Sequence, residues 1–144
     1  GKVDKLILNQ AIENFTVNFN YEKSLDVKDF DIFFVKGLSL ENGAATITEF
    51  TGKLIADGMN LVSGNQWLIC GGGRKNKYLL ESIKNNFHKI KLDLIDEYEI
   101  DGDFIESQAF AFLAIRSLKG MDISFPSTTR CKESISGGII SENF

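Results

Sequence analysis

Three consecutive glycines, Gly71 to Gly73, separate an uninterrupted apolar run, Trp67 to Cys70, from a stretch with helical spacing that begins at Lys77. An apolar run without alternation predicts a strand covered on both faces. Beyond the glycines, Tyr78, Leu79, Ile83 and Phe87 fall on one face of a helix. The chain must therefore turn from strand to helix at the glycines. Such a corner has two readings. Tight backbone angles alone demand glycine. The carboxyl end of a strand beside a helix start can also hold an anion.

The chain's 144 residues, 43% of them hydrophobic and 25% charged, suit one globular domain over 1–144 with a sizeable core. A net charge of −4 and a pI near 5.0 argue against nucleic acid or an anionic membrane as partner. No apolar run approaches the roughly 20 residues of a membrane span, and the start does not resemble a secretion signal. Cys70 and Cys131 do not form a disulfide framework. Cys70 sits in the strand expected to be buried, and reduced cytosolic thiols are the simpler reading. The chain opens with Gly1, not methionine, and reads as helix at once. This is expected of a fragment, a processed chain or a tagged piece.

The pattern along the chain is a succession of helices and short strands. Asp4 to Gln10 supports a helix, and "FTVNFNY" alternates as a strand through Phe15, Val17, Phe19 and Tyr21. The run "DFDIFFVKGL" is a short helix or strand. A long helix follows from Ser39, its cap, to Val62, with Ile47, Phe50, Leu54, Ile55, Met59 and Val62 as its apolar stripe. Gly43, Gly52 and Gly58 each weaken it by up to about 1 kcal/mol, so close packing against another backbone or a ligand is expected there. Asn76 to Phe87 is helical. Ile90, Leu92 and Leu94 alternate as a half-buried strand. After the acidic loop "DEYEIDGD", a helix runs from Asp103 to Lys119 and stops at Gly120. "AFAFLAI" within it is apolar all round and is expected to be deeply buried. Pro126 marks an irregular tail, in which "SISGGII" can return as a strand. Strands interleaved with helices give α/β layers. Two convincing strands make a poor sheet, so either the early alternating run joins them or, as we favour, strand partners lie outside this chain.

Several motifs approach a known chemistry and miss it. No GK[ST] follows the glycines, which excludes a Walker loop. Gly71 and Gly73 fit two positions of the dinucleotide fingerprint, but Asn76 replaces the third glycine, and Asp93 stands where a ribose-binding acid would be needed. The acidic loop fails as a calcium loop, because Gln108 stands where a bidentate glutamate is required. It reads as a solvated loop whose last members favour a helix N-terminus. Glu106 shares a helix face with Ala109, Phe110 and Leu113, which points either to a tethered carboxylate or to one aimed into a cleft. His88 reads as a surface histidine near a helix end. There is no metal-ligand spacing and no nucleophile–histidine constellation.

The stretches "KSLDVKDFD", "GAATITEFTGKLIADG", "CGGGRKN", "FIESQAFAFLAIRSLKG" and "SFPSTT", in this order and spacing, resemble the anhydro-N-acetylmuramic acid kinases. The match runs across nearly the whole chain but only the C-terminal part of such an enzyme. The resemblance implies an RNase H-like lobe of the sugar kinase, heat-shock ATPase and actin superfamily, here with an incomplete sheet and long helices. It implies a cytoplasmic enzyme of peptidoglycan recycling. Such an enzyme uses ATP, Mg2+ and water to open the 1,6-anhydro ring of anhydro-N-acetylmuramic acid and form the 6-phosphate. Gly71, Gly72 and Gly73 then belong to the adenosine-side turn, with Asn76 close by. Glu106 matches a glutamate that helps set the sugar and its attacking water.

The phosphate loop, the segment bearing the general base and most of the magnesium site are expected outside this chain, which alone is expected to be inactive. Ser107, Arg130 and Gly52 depart from the family's usual alanine, glycine and alanine. Two alternatives stand beside the kinase lobe: a non-catalytic nucleotide-binding or regulatory module derived from it, and a Rossmann-type dinucleotide binder. An unpaired sheet edge also allows a homodimer.

Overall fold

A computed structural model describes residues 1–18, 25–64, 66–88 and 91–141. The elements run α1 (Lys5–Asn18), α2 (Leu40–Leu61), β1 (Trp67–Ile69), α3 (Lys77–Asn86), β2 (Leu92–Leu94), α4 (Ile105–Leu118) and α5 (Pro126–Thr129), with 3₁₀ turns between several of them. This is an α/β arrangement built on a two-stranded parallel sheet. Trp67 pairs with Leu92, Leu68 with Asp93 and Ile69 with Leu94. Parallel pairing requires a crossover, and α3 supplies it.

The 22-residue α2 organises the rest. The Ser39 hydroxyl accepts the Asn42 N–H and starts the helix. The first core cluster lies where Leu8, Ala11 and Phe15 of α1 meet Phe50 and Leu54 of α2. Phe50 takes the Phe15 ring edge-on and also touches Phe34. This contact corrects the expected early strand. Leu8, Ala11 and Phe15 recur at helical spacing, so α1 continues through Asn18, and tertiary burial outweighs the local alternation. Phe19 and Tyr21 lie outside the described residues. The ambiguous run after it contains one 3₁₀ turn, Phe33–Val35, and closes at Gly37 with φ +99°.

The second cluster joins Ala56 and Met59 of α2 to Ile83 and Phe87, against Trp67, Ile69 and Leu92 of the sheet. Gly52 lets α2 and α3 approach. A Cβ there would lie 2.2 Å from the Ser82 hydroxyl oxygen. The expectation of close packing at a helical glycine therefore holds at this position.

Several burial expectations do not hold, and Ile55 and Val62 of the expected α2 stripe are exposed. The strand at Trp67 is covered on one face only: Leu68 is 45% exposed, and Cys70 is exposed as well. Tyr78 is 79% exposed and belongs to the outer side of α3, while Leu79, Ile83 and Phe87 face inward. The apolar helix α4 has no buried residue; Phe110 and Phe112 are 65% and 60% exposed. Its sequence is suited to burial, but among the described residues no element covers it.

The tail forms a single antiparallel bridge between Ser124 and Ile135, so the strand expected from "SISGGII" is reduced to one pair. Arg130 ends α5 at φ 57°. That is the left-handed region glycine occupies without strain, at a cost of roughly 1–2 kcal/mol for other residues. Among the described residues no helix is long and apolar enough to cross a membrane.

Candidate functional site: a glycine corner clamped by a buried arginine

After β1 the chain turns at Gly71, with φ +76° and ψ 176°, angles that strain any residue bearing a Cβ. Residues Gly72–Lys75 form a 3₁₀ turn, and Asn76 then starts α3 by accepting the Leu79 N–H on its side-chain oxygen at 3.2 Å. A Cβ placed on Gly71 or Gly72 would meet nothing within 4 Å, and one on Gly73 would make only an ordinary contact with Leu79. The corner is therefore open to solvent, and a flat or anionic group has room to reach its main chain. Lys77 flanks it and the start of α3 adds a positive end, a setting that favours anions, while the charge of Lys75 is paired with Asp103. Asn76 also borders a cleft of about 520 Å³ between α2 and α3, shared with Ala44, Thr48, Glu49, Tyr78 and Ser82.

Arg74, the residue that closes the corner from behind, was not singled out by the sequence. It is only 7% exposed. Its Nε and Nη2 donate to the two oxygens of Asp96 at 2.7 and 2.9 Å. Its Nη1 donates to Asp103 at 2.6 Å and to the Gly71 carbonyl at 3.0 Å. Asp101 lies 3.6 Å from Nη2. A planar fork meeting a carboxylate at both teeth is the strongest form of such a pair. The acidic loop is exposed, as expected, yet three of its five carboxylates, Asp96, Asp101 and Asp103, converge on a guanidinium. The signal was present as an arginine after three glycines and a run of acids ahead of a helix, but sequence alone does not say that the two meet.

The main chain joins the same two segments. Gly71 N–H donates to the Gly102 carbonyl at 3.0 Å. Gly102 is buried against the guanidinium, and a Cβ there would sit 2.5 Å from Arg74 Nε. The electrostatics follow the geometry. Hydrogen bonds from Arg74 and then Lys75 hold the Asp103 carboxyl at about 2. Arg74 likewise keeps Asp96 below the usual carboxylate range, and the two acids push Arg74 further up. Among the described residues no group of three or more His, Cys, Asp or Glu is placed to hold a metal ion.

Gly71, Gly72, Gly73 and Asn76 therefore share one corner, as the spacing predicts. Glu106 does not touch it. The residue is exposed in the first turn of α4, three residues past Asp103, and Ala109 and Phe110 on its face are exposed too. Asp93, the acid a dinucleotide site would need, is engaged elsewhere. Lys91 Nζ lies 2.7 Å from it, and the Tyr98 hydroxyl donates to it at 2.7 Å. Both neighbours lower its pKa, Lys91 more than Tyr98. His88 is exposed just beyond α3.

Comparison with known proteins bears on this geometry. A family model for anhydro-N-acetylmuramic acid kinase matches residues 13–143. A protein of that name from Pelagibacter ubique is 49% identical, the match covering 100% of this chain and 40% of the relative. One from Rhizorhabdus wittichii is 38% identical over 96% of this chain and 38% of its own length. A third, from Methylorubrum populi, is 34% identical over 99% of this chain and 38% of its own. The chain thus spans about two fifths of the length of these curated relatives.

Proposed function

We infer, since this chain belongs to the anhydro-N-acetylmuramic acid kinase family, that it serves as the C-terminal, nucleotide-side lobe of such an enzyme, with the RNase H-like fold of the sugar kinase, heat-shock ATPase and actin superfamily. In this reading the complete protein is a cytoplasmic enzyme that transfers the γ-phosphoryl group of ATP to O6 of anhydro-N-acetylmuramic acid while water opens the anhydro ring. The open corner at Gly71–Gly73 is the observation that carries the reading. It leaves room for a nucleoside at the end of a parallel strand, the place where α/β sheets bind ligands. Gly71, Gly72 and Gly73 receive the adenosine side, and Asn76 fixes the start of the helix beneath it.

Glu106 stands as the sugar-side residue that sets the attacking water. Bound ATP with Mg2+ supplies the transferable phosphoryl group and neutralises its charge. Phosphoryl transfer depends on positioning and on the cation, so the parts that hold the triphosphate and magnesium belong to the remainder of the enzyme. The same remainder would cover the bare face of β1 and the apolar face of α4. The dinucleotide alternative is weakened by the engagement of Asp93 with Lys91 and Tyr98.

Calorimetric titration tests the reading. The chain is expected to bind an ATP analogue in preference to NAD, and Gly72→Val, which fills the open corner, is expected to abolish that binding. The complete protein is expected to phosphorylate the anhydro sugar, and this chain alone to show no turnover. Equal binding of NAD and ATP, or undiminished ATP binding by the Gly72→Val variant, would overturn it.

A further inference from the structure

We propose that Arg74 is a positioning residue that fastens the nucleotide corner to the loop launching α4, and so fixes where Glu106 stands relative to the nucleotide. The proposal rests on the nucleotide-side reading above and adds a residue to it. An arginine immediately after a glycine turn would ordinarily suggest a phosphate ligand. Here the guanidinium is already occupied. Of its five N–H donors, four go to Asp96, Asp103 and the Gly71 carbonyl, and the fifth faces Asp101 at 3.6 Å. The side chain is buried, and the backbone of Gly102 packs directly on it. Arg74 therefore acts through what it holds.

What it holds is the turn on one side and the helix entry on the other. Its contact with the Gly71 carbonyl, together with the bond from Gly71 N–H to the Gly102 carbonyl, ties the corner to the loop. Its contact with Asp103 fixes the residue three before Glu106, and Asp103 N–H is itself bound to the Asp101 side chain at 2.9 Å. Lysine cannot replace this arrangement, because one ammonium cannot span a carboxylate with two parallel bonds and still reach Gly71 and Asp103.

The test uses the complete kinase carrying Arg74→Lys and, separately, Asp103→Asn, assayed well below the melting temperature of each variant. Arg74→Lys is expected to speed amide exchange in both 71–75 and 101–105. It should also raise KM for ATP and lower kcat, each by about tenfold or more, as small misplacements of reacting groups do. Asp103→Asn weakens the bonds that Arg74 and Lys75 make to the entry of α4, and leaves the bonds of Arg74 to Asp96 and the Gly71 carbonyl in place. It is expected to lower kcat while leaving KM for ATP within about twofold, since binding and positioning losses separate in this way. Should Arg74→Lys fail to fold, the split in Asp103→Asn decides the matter. Folded variants with a reduced melting temperature but wild-type kcat and KM would overturn the proposal, as would exchange that quickens in one segment alone. A wild-type complete protein without ATP-dependent phosphorylation would instead refute the kinase reading, and the exchange data would still judge the clamp.

Discussion

α2 and α4 are both apolar helices, and the fold treats them in opposite ways. α2 buries Phe50, Leu54, Ala56 and Met59 between α1 on one side and α3 with the sheet on the other. α4 carries Phe110, Phe112, Ile115 and Leu118 with more than half of each side chain in solvent. The difference is one of partners. α2 carries a stripe, and every residue of that stripe that is buried meets a neighbouring element within this chain. The stretch of α4 from 109 to 115 is apolar on all sides, as suits a helix surrounded by protein, but the described contacts of the tail reach Arg116 and Ser117 and leave Phe110 and Phe112 in solvent. Apolar sequence states a requirement for burial, and packing elsewhere determines whether it is met.

The largest effect that can break this contrast comes from truncating matched aromatics. Phe50→Ala empties the centre of the first cluster and is expected to cost about 3–5 kcal/mol in urea unfolding. Phe110→Ala, at an exposed position of α4, is expected to change the same measurement by no more than about 0.5 kcal/mol. Equal losses from the two would show that α4 is packed and that the contrast is false.

A smaller effect sharpens the α2 side. Gly52→Ala gains about 1 kcal/mol of helix propensity but drives a methyl group into Ser82, which sits on the α3 backbone and cannot swing away. Overpacking costs about 1–3 kcal/mol, so net destabilisation is expected, and adding Ser82→Gly should restore stability toward wild type. If Gly52→Ala alone stabilises the protein in thermal melts, the helices are not held at this distance.

The smallest effect concerns acid. The folded Asp103 carboxyl sits at about 2, below the ordinary 3.9 or so of an unfolded aspartate. Its contribution is therefore complete above roughly pH 4 and fades as pH falls toward 2. The side-chain carbon resonance of Asp103 is expected to titrate with a midpoint near the lower value, and Arg74→Lys should move that midpoint upward. A midpoint at the ordinary aspartate value in the unaltered chain would show that the clamp around Arg74 does not hold in solution.

Local chemistry was legible to different depths in different places. The Ser39 cap, the extent of α2, the turn at the glycines, the start of α3 and the stop at Gly120 all followed from residues that dictate their own backbone. The continuation of α1 through Phe15 did not, because four alternating residues suit a strand as well as a helix, and the choice was made by Phe50 some thirty-five positions later in the sequence. Solvent exposure of Leu68, Cys70 and Phe110 was illegible for the converse reason, since the sequence names what should be covered and not what is there to cover it. The glycine corner of the candidate site was visible; the arginine behind it was not. Arg74 and Asp103 are separated by an entire helix and strand, and only the parallel crossover brings them together.

The contact of Gly102 with Arg74 carries a consequence for how this protein can vary over generations. A glycine with a guanidinium lying where its Cβ would be cannot change first, since any newcomer would evict the arginine, strip Asp96 and Asp101 of their cation and leave Asp103 with Lys75 alone. Nor can the arginine shrink without opening a hole lined by carboxylates. Descendants are expected to keep both or exchange both, so the two positions should be inherited as a couple.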